Sequence, residues 1–387
     1  MQSSTKNGLF IFLFAVLLLP TVQQYFPLVK SGGLNGYFAI APNIEFSWPK
    51  WMNGHYQDSA TLYLNDNTGF RADMIRVNNQ LEFSLFDKVH SEWRILEGKN
   101  NTAYQDVYIY AYTGKDYIGY DSIYHRMKQL RAIQDTLQKL GKTVLLIHAP
   151  NKAYFYPEFI PGELAKTRNA TTNLGTYLRV GDSLGIHQID FNGWFMSMKA
   201  TSGELLYPRQ GFHWSVYGSW LAADSLEKYI ERKRNIHMRR PVIGNINHTS
   251  IAQGTDDDLA KGFNIIFPVL TETFSYPEIT YSHDTASLKV IYIGDSFLFT
   301  WMNSGFMDNT NAQWQIWYYF RYLLNSSNRT PEQTPLGDTD WVQEIEHTDC
   351  IILMYTSRNL ARMGDGFIEQ AYAHYYPDKV KLGEDND

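Results

Sequence analysis

The most regular pattern in the chain is an alternation of helical and strand-like segments that begins near residue 121. Residues 121–140 carry an apolar side chain at every third or fourth position, which predicts a helix that Gly141 caps. Residues 143–147 are continuously apolar, as in a strand buried on both faces. Further helices are predicted at residues 173–184 and 215–233, and further strands at residues 186–189, 288–293 and 350–355. This alternation predicts an α/β fold with a mostly parallel sheet and helices on both faces.

The segments outside this pattern are less regular. Apolar residues recur at helical spacing within residues 61–86, with a turn at residues 69–71, and residues 104–112 alternate like a strand. Residues 236–285 are polar and interrupt the pattern, which predicts an insertion with its own short strands. The predicted organisation is a membrane anchor at residues 1–30, a juxtamembrane and N-terminal part at 31–120, the α/β domain at 121–375 and a tail at 376–387.

The N-terminus contains an uncharged apolar stretch. Residues 9–22 are almost wholly apolar, and the uncharged stretch continues to Val29 before Lys30, which is about the length needed to cross a bilayer. We therefore predict a single transmembrane helix. The alternative is a cleaved signal peptide, but the end of the apolar run lacks a site with small residues at alternate positions.

Charge and cysteine content argue against two classes of protein: nucleic-acid-binding proteins and disulfide-stabilised proteins. The formal net charge is −6, and the sequence shows no clustered basic surface of the kind that nucleic-acid binding requires. The single cysteine, Cys350, excludes an intrachain disulfide and lies in an apolar run that predicts a buried thiol.

One candidate for chemistry follows a predicted strand. Gly294, Asp295 and Ser296 come directly after residues 288–293 and precede an apolar segment that starts at Phe297. This layout presents a serine hydroxyl at the carboxyl edge of a parallel sheet, as acyl transfer requires. The other interpretation is that Ser296 only caps a helix.

A second candidate is a histidine that stands just before a predicted helix. His213 precedes Trp214 and Ser215, and Ser215 is a suitable helix cap. A neutral imidazole is the usual acceptor of the proton that a serine loses on attack. The alternative is a histidine that bonds a backbone carbonyl near the cap.

Polar residues also follow two other strands. Asn151 and Lys152 come after residues 143–147, and Arg358 follows residues 350–355. These side chains are expected at the same sheet edge, where they contact substrate or support the site. An ordinary polar loop is the alternative for Asn151 and Lys152.

Together these motifs resemble the SGNH-hydrolase-like domain of the alginate O-acetyltransferase family, over roughly residues 60–375. That family typically has a Pro-Asp-Lys loop, an Asp-x-His-Trp motif and a Gly-Asp-Ser-Phe motif. Asn151 and Lys152, then His213 and Trp214, then residues 294–297 match these positions in order. The resemblance implies a flavodoxin-like SGNH-hydrolase fold with circularly permuted motif order, with Ser296 and His213 as catalytic residues and Asp295 and Trp214 as support.

Two positions depart from the family pattern. Asn151 replaces the usual aspartate of the loop, and Gly211 stands where the aspartate of the catalytic triad would be. A triad acid holds the imidazole in the correct tautomer. Without one at residue 211, the chain works as a Ser-His dyad, recruits another carboxylate such as Asp190 from the same sheet edge, or is inactive.

The resemblance also implies a function. It indicates an O-acetyltransferase that modifies an extracytoplasmic polysaccharide through an acetylated serine, without metal or cofactor, and receives acetyl groups through a multi-pass membrane O-acyltransferase. The expected location is the bacterial inner membrane, with a single span and the catalytic domain facing the periplasm or the cell exterior. The alternatives are an acetylesterase and a non-catalytic polysaccharide-binding or scaffold subunit.

Overall fold

The chain divides into two compact units. The computed structural model describes residues 2–36, 40–86, 88, 94–166, 169, 171–267, 272–284, 286–331 and 334–382. One unit comprises Met1–Ile95 with Ala260–Val269, and the other comprises Leu96–Leu259 with Leu270–Asp387.

The first unit is helical. Its helices are α1 (Gln2–Tyr25), α2 (Trp48–Met52), α3 (His55–Asn67) and α4 (Arg71–Phe86). The turn predicted at residues 69–71 separates α3 from α4, and Phe70 adopts a left-handed φ of 60° there. Within α1, Thr5–Tyr25 is long and apolar enough to cross a membrane, with a mean hydropathy of 1.7 over an 18-residue window in which no residue is buried.

The second unit holds the strands and the remaining helices. Its strands are β1 (Ile95–Glu97), which begins in the first unit, β2 (Ala103–Gln105), β3 (Thr143–Ala149), β4 (Gln188–Asp190), β5 (Pro241–Thr249), β6 (Phe274–Tyr281), β7 (Lys289–Gly294), β8 (Gln313–Tyr318), β9 (Tyr322–Asn325) and β10 (Cys350–Thr356). Its helices are α5 (Asp106–Thr113), α6 (Tyr120–Lys139), α7 (Lys152–Phe155), α8 (Gly162–Ala165), α9 (Asn173–Leu184), α10 (Phe191–Met198), α11 (Val216–Arg234), α12 (Asp258–Gly262), which ends in the first unit, α13 (Phe297–Asn303), α14 (Phe306–Thr310), α15 (Trp341–Glu346), α16 (Phe367–Tyr375) and α17 (Pro377–Leu382). Short 3₁₀ helices occupy Lys99–Asn101, Pro157–Phe159, Leu336–Asp338 and Ser357–Arg362.

A six-stranded sheet in the order β4-β3-β10-β7-β8-β9 forms the centre of this unit. All neighbouring strands are parallel except β8 and β9, which are antiparallel. The predicted strands ending near residues 147, 189, 293 and 355 thus lie in one sheet, which confirms the α/β prediction. Because parallel strands end at the same edge, the loops after β3, β4, β7 and β10 share that edge.

Alternate residues of the central strands face two different cores, which is why the strands are continuously apolar. In β3, Leu145 and Ile147 pack with α10, α11 and α13, whereas Val144 and Leu146 pack with α6, α9 and α16. The helices therefore cover both faces of the sheet. The buried thiol predicted for Cys350 is confirmed.

The strand predicted at residues 104–112 was wrong. The extended segment ends at Gln105, and residues Asp106–Thr113 form α5, which Gly114 closes in the left-handed region with a φ of 76°. Tyr108, Ile109 and Tyr112 are buried, at the spacing of one helical face. Alternating aromatic residues suggested a strand, but packing of this face decided the conformation.

The polar segment at residues 236–285 contains the short strands that its sequence suggested. β5 and β6 pair antiparallel, with an irregularity between Ile243 and Ile246. The domain boundaries at residues 30, 120 and 375 stay predictions, and residues 383–387 of the predicted tail lie outside the described residues.

Candidate active site

Ser296 lies in the turn between β7 and α13. A glycine precedes this turn because β10 approaches closely: a Cβ on Gly294 would lie 2.0 Å from the carbonyl oxygen of Met354. The Ser296 side chain makes no capping hydrogen bond to α13. Its Oγ instead lies 3.0 Å from Nε2 of His213. The cap interpretation therefore does not describe this serine.

His213 lies just before α11, and the cap of that helix is another residue. Ser215 Oγ accepts a hydrogen bond from the Gly218 amide at 2.9 Å. The imidazole is thus free to bond side chains: Nε2 faces Ser296, and Nδ1 lies 2.7 Å from Oδ2 of Asp258. The predicted approach of Ser296 and His213 is present, at the distance that proton transfer requires.

Asp258 contacts the imidazole through one carboxylate oxygen and the preceding backbone through the other. Its Oδ1 accepts the backbone N–H of Phe212, while Oδ2 lies against Nδ1 of His213. An ionised carboxylate only accepts hydrogen bonds, so Nδ1 carries the proton and the lone pair of Nε2 faces the Ser296 hydroxyl. This is the tautomer in which His213 can act as a base toward Ser296.

Asp258 reaches His213 because Gly211 has no side chain. A Cβ at residue 211 would lie 2.8 Å from the carbonyl oxygen of Thr255 and 2.9 Å from that of Asp256. The loop before α12 thus occupies the space that an aspartate at residue 211 would need. Asp256 Oδ1 also accepts the amide of Val216 at 3.0 Å, which fixes this loop to the first turn of α11.

The structure corrects the expectation for Asp190. This residue ends β4, and two strands, β3 and β10, lie between β4 and β7 in the sheet. At a strand spacing of about 4.8 Å, the backbones of β4 and β7 are roughly 14 Å apart. The carboxylate that contacts His213 is that of Asp258, so Asp190 does not take this position.

Asp295 is buried beneath the serine turn. Its Oδ2 accepts hydrogen bonds from the amide of Thr356 at 2.9 Å, its hydroxyl at 2.8 Å and Asn359 Nδ2 at 2.7 Å. Its Oδ1 accepts the amide of Phe297 at 3.2 Å. Asp295 thus joins the turn after β7 to the loop after β10 and supports the site.

We expect Asp295→Asn to lower the free energy of unfolding by roughly 2–3 kcal/mol, because the amide NH₂ would face an N–H donor and leave buried groups unpaired. Chemical denaturation measures the loss. The matched control is Glu163→Gln, at a highly exposed carboxylate that pairs only with Lys166, with an expected change below about 1 kcal/mol. Equal effects of the two changes would contradict the structural role of Asp295.

Trp214 contributes packing rather than a polar contact. It is fully buried, and its ring centroid lies 5.5 Å from that of Phe297 and 5.2 Å from that of Trp301. The residue after the histidine therefore packs against α13, the helix that follows the serine. This contact links the two halves of the site.

Asn151 and Lys152 are buried, so their geometry matches the supporting role and not contact with substrate. Asn151 Nδ2 donates to the carbonyl oxygen of Tyr108 at 3.2 Å. Lys152 Nζ donates to the carbonyl oxygens of Ala103 at 3.0 Å and Arg209 at 2.8 Å. Both side chains therefore tie the loop after β3 to neighbouring backbone.

Arg358 follows β10 and is partly exposed at the shared edge. Its guanidinium donates to Gln105 Oε1 at 2.7 Å and lies 5.5 Å from the ring centroid of Tyr108. Within the described residues it has no carboxylate within ion-pair distance. A guanidinium at this edge of the sheet suits a polar or anionic ligand.

Burial changes the acidity of groups around the loop that carries Asp258. Burial, together with the nearby carboxylates of Asp258 and Glu272, raises the pKa of Asp256 to about 7, against the lowering effect of hydrogen bonds from Tyr276 and the Val216 amide. Burial also lowers the pKa of Lys152, against the opposing effect of Asp258 and Glu272.

Among the described residues, no group of three or more His, Cys, Asp or Glu is placed to hold a metal ion.

Sequence reasoning missed Asp258. It is the last of three consecutive aspartates in a segment that was interpreted only as a polar insertion. The one signal was that Gly211 left the histidine without an acid, which required a carboxylate from elsewhere but did not identify it.

Comparison with known families gives a match within the α/β unit. Residues 115–255 match the model of the SGNH hydrolase-like domain of the acetyltransferase AlgX. This segment is therefore similar to an SGNH hydrolase-like domain. The match confirms the resemblance seen in the sequence; it contains His213 and ends before Asp258 and Ser296.

Several solved structures also match at low identity. The O-acetyltransferase domain of Pseudomonas putida AlgJ is 16% identical, covering 72% of this chain and 98% of that one, with a TM-score of 0.45. Pseudomonas aeruginosa AlgX is 12% identical over 71% and 66%, with a TM-score of 0.41, and Bacillus cereus PatB1 is 11% identical over 69% and 96%, with a TM-score of 0.41. At this level of similarity, the activity of these proteins cannot be assigned to this chain. No curated protein matches the chain.

Proposed function

We propose that this protein is an O-acetyltransferase that acetylates a polysaccharide outside the cytoplasm through an acetyl-serine at Ser296. The observation that carries the proposal is the continuous contact from Asp258 to His213 to Ser296, at 2.7 Å and 3.0 Å. A carboxylate, an imidazole and a hydroxyl in this order form the nucleophile, base and orienting acid of serine acyl transfer.

In the first half of the reaction, Nε2 of His213 takes the proton from the Ser296 hydroxyl as Oγ attacks the carbonyl carbon of the acetyl donor. The donor's bond to its leaving group then breaks, and the imidazolium returns the proton to that group. Asp258 accepts the Nδ1–H bond throughout and stabilises the transient imidazolium charge. The product is an acetyl ester on Ser296.

In the second half, His213 takes a proton from a sugar hydroxyl, whose oxygen attacks the acetyl carbonyl. The bond to Ser296 Oγ breaks, and the imidazolium returns a proton to the serine. Water in place of the sugar hydroxyl would give an esterase, so acceptor binding decides which reaction dominates. Arg358 at the same edge is our candidate for holding a polar acceptor.

The backbone amide of Ser296 is our candidate donor for the tetrahedral oxyanion. In the same turn, the Phe297 amide is bonded to Asp295 Oδ1 and the Leu298 amide to the Asp295 carbonyl oxygen. No hydrogen bond of the Ser296 amide is present in the part of the chain that the structure describes. A preorganised amide at the reacting carbonyl is a large contribution to acyl transfer.

We further propose that α1 anchors the protein in a bacterial inner membrane by a single span, with the catalytic unit on the periplasmic or outer side. This placement would keep Ser296 near a multi-pass O-acyltransferase that supplies acetyl groups. The support is the length and apolar composition of Thr5–Tyr25.

The test is a trapping experiment on the purified full chain with a chromogenic acetyl ester. We expect ester cleavage and an acetyl group on the peptide that contains Ser296, with acetyl transfer to an acetyl-free bacterial polysaccharide when one is added. The control is Ser304→Ala, which removes a hydroxyl that donates to the Trp301 carbonyl oxygen at 3.1 Å and accepts the Phe306 amide at 3.4 Å, and it should leave both products unchanged. Acetylation at another residue, or ester cleavage unchanged in Ser296→Ala, would contradict the proposal; acetyl release to water in the presence of every polysaccharide tried would indicate an esterase.

A further inference from the structure

One face of α4 exposes apolar side chains. Met74, Val77, Leu81 and Leu85 are 48%, 48%, 55% and 68% exposed. Their spacing of three to four residues places them on one stripe of the helix, which we call the α4 stripe. A contiguous exposed apolar stripe marks a surface that contacts another apolar phase.

Polar contacts on the opposite side fix the rotation of α4. Asn79 is buried, and its Nδ2 donates to the carbonyl oxygen of Phe263 at 3.0 Å. Gln80 Oε1 accepts the amides of Ile266 at 3.1 Å and Phe267 at 2.9 Å. Turning the α4 stripe inward would break these hydrogen bonds and leave buried polar groups without partners. The outward position of the stripe is therefore built into the unit.

The beginning of α4 packs against the end of α1. A Cβ on Gly69 would lie 2.2 Å from the carbonyl oxygen of Pro20 and 2.8 Å from the amide of Gln24. Arg76 donates to the carbonyl oxygen of Gly33, which follows α1 in the chain. If α1 spans a bilayer, these contacts place the first turns of α4 at the depth where the apolar helix ends, which is the membrane–water interface.

A second group of the same unit has the composition of an interface. Phe46, Trp48, Trp51 and Tyr56 form an aromatic cluster, with ring centroids 5.2–5.9 Å from Phe46. Phe46, Trp48 and Trp51 are exposed although they are large and apolar. Amphipathic aromatic rings favour the headgroup level of a bilayer, where one edge is apolar and the other wet.

We propose that the α4 stripe lies in the interfacial region of the lipid bilayer, beside the end of α1. The inference rests on the proposed membrane anchoring. Acidic and basic side chains in residues 26–86 nearly balance: Lys30, Lys50, Arg71 and Arg76 against Glu45, Asp58, Asp66, Asp73 and Glu82. The contact is therefore made by apolar burial in zwitterionic lipid, and added salt should not release it.

The test places an environment-sensitive fluorophore on single cysteines of the full chain, reconstituted in phosphatidylcholine vesicles. The native Cys350 is fully buried, so labelling is confined to the new thiol. The labelled variants are Leu81→Cys on the α4 stripe, Leu17→Cys on α1 as the anchor control and Lys139→Cys on α6 as the aqueous control. We expect a quencher attached to lipid chains near the headgroups to remove most of the Leu81→Cys emission, while iodide removes little, with the same result in high salt.

Each other result has a definite meaning. Quenching of the Leu81→Cys label by iodide alone overturns the inference, and so does protection from both quenchers, which would show that a second copy or another protein covers the α4 stripe. Leu17 lies near the middle of the span, so its label is read with a second quencher placed at the ends of the lipid chains; if the Leu17→Cys label escapes that quencher, the proposed anchoring itself fails. Lipid quenching at Leu17→Cys but not at Leu81→Cys contradicts the interfacial position of the α4 stripe and leaves the proposed anchoring intact.

Discussion

Ser296→Ala and His213→Ala should each lower kcat for cleavage of an acetyl ester by roughly 10⁴-fold or more. The serine forms the acyl bond, and the imidazole accepts its proton at a contact of 3.0 Å, so neither has a function without the other. The double variant should be little worse than either single one, because residues that act as a unit are strongly non-additive. Steady-state kinetics on the three purified variants measure this.

His347→Ala is the matched control, since the exposed imidazole of this residue bonds the backbone carbonyl oxygen of Gln343. Its activity should remain within about twofold of the unchanged protein, as expected for a surface change away from the site. Full activity in Ser296→Ala would show that Ser296 is not the nucleophile. A double variant far worse than both singles would mean that Ser296 and His213 act independently.

Asp258→Asn should lower kcat by roughly 10³–10⁴-fold with little change in KM. An asparagine can donate a hydrogen bond to Nδ1 of His213, which would favour the tautomer that presents an N–H, and not a lone pair, to Ser296. Asp190→Asn should stay within about twofold of normal. Comparing the two variants shows which carboxylate orients the imidazole: Asp258, which contacts it in the structure, or Asp190, which the sequence suggested.

A small loss in Asp258→Asn would favour the Ser-His dyad in place of the triad. A large rise in KM together with a large fall in thermal stability would show that Asp258 chiefly holds the loop at residues 255–258 in place. Asp256→Asn is the comparison for that outcome, because Asp256 anchors the same loop through the Val216 amide without touching His213. We expect it to lower stability more than kcat.

Much of the site was predictable because parallel strands end at one edge. The apolar runs of β3, β7 and β10 show where buried strands end, and Ser296 directly follows one of them. His213 stands before a helix that returns to the same sheet. A strand pattern and a motif are local properties of the sequence, so the contact between Ser296 and His213 could be expected before the structure was known.

The identity of the acid was not predictable in this way. Asp258 lies 45 residues from His213 in a polar segment whose path no periodicity determines. Its position depends on the absence of a side chain at Gly211 and on the Asp256 bond to α11, and both are tertiary contacts. Asp190 is the last residue of a strand in the same sheet, but the strand order separates it from β7.

The sequence by itself determined the α/β architecture, the edge at which the chemistry lies and the apolar helix at the N-terminus, because hydrophobic periodicity is a local signal of which surface each element buries. Only the tertiary structure decided that residues 106–113 are a helix, that Asp258 faces His213 and that the α4 stripe points outward. Each of these depends on packing or hydrogen bonds between segments far apart in the chain, and a single sequence does not encode such partners in its local pattern.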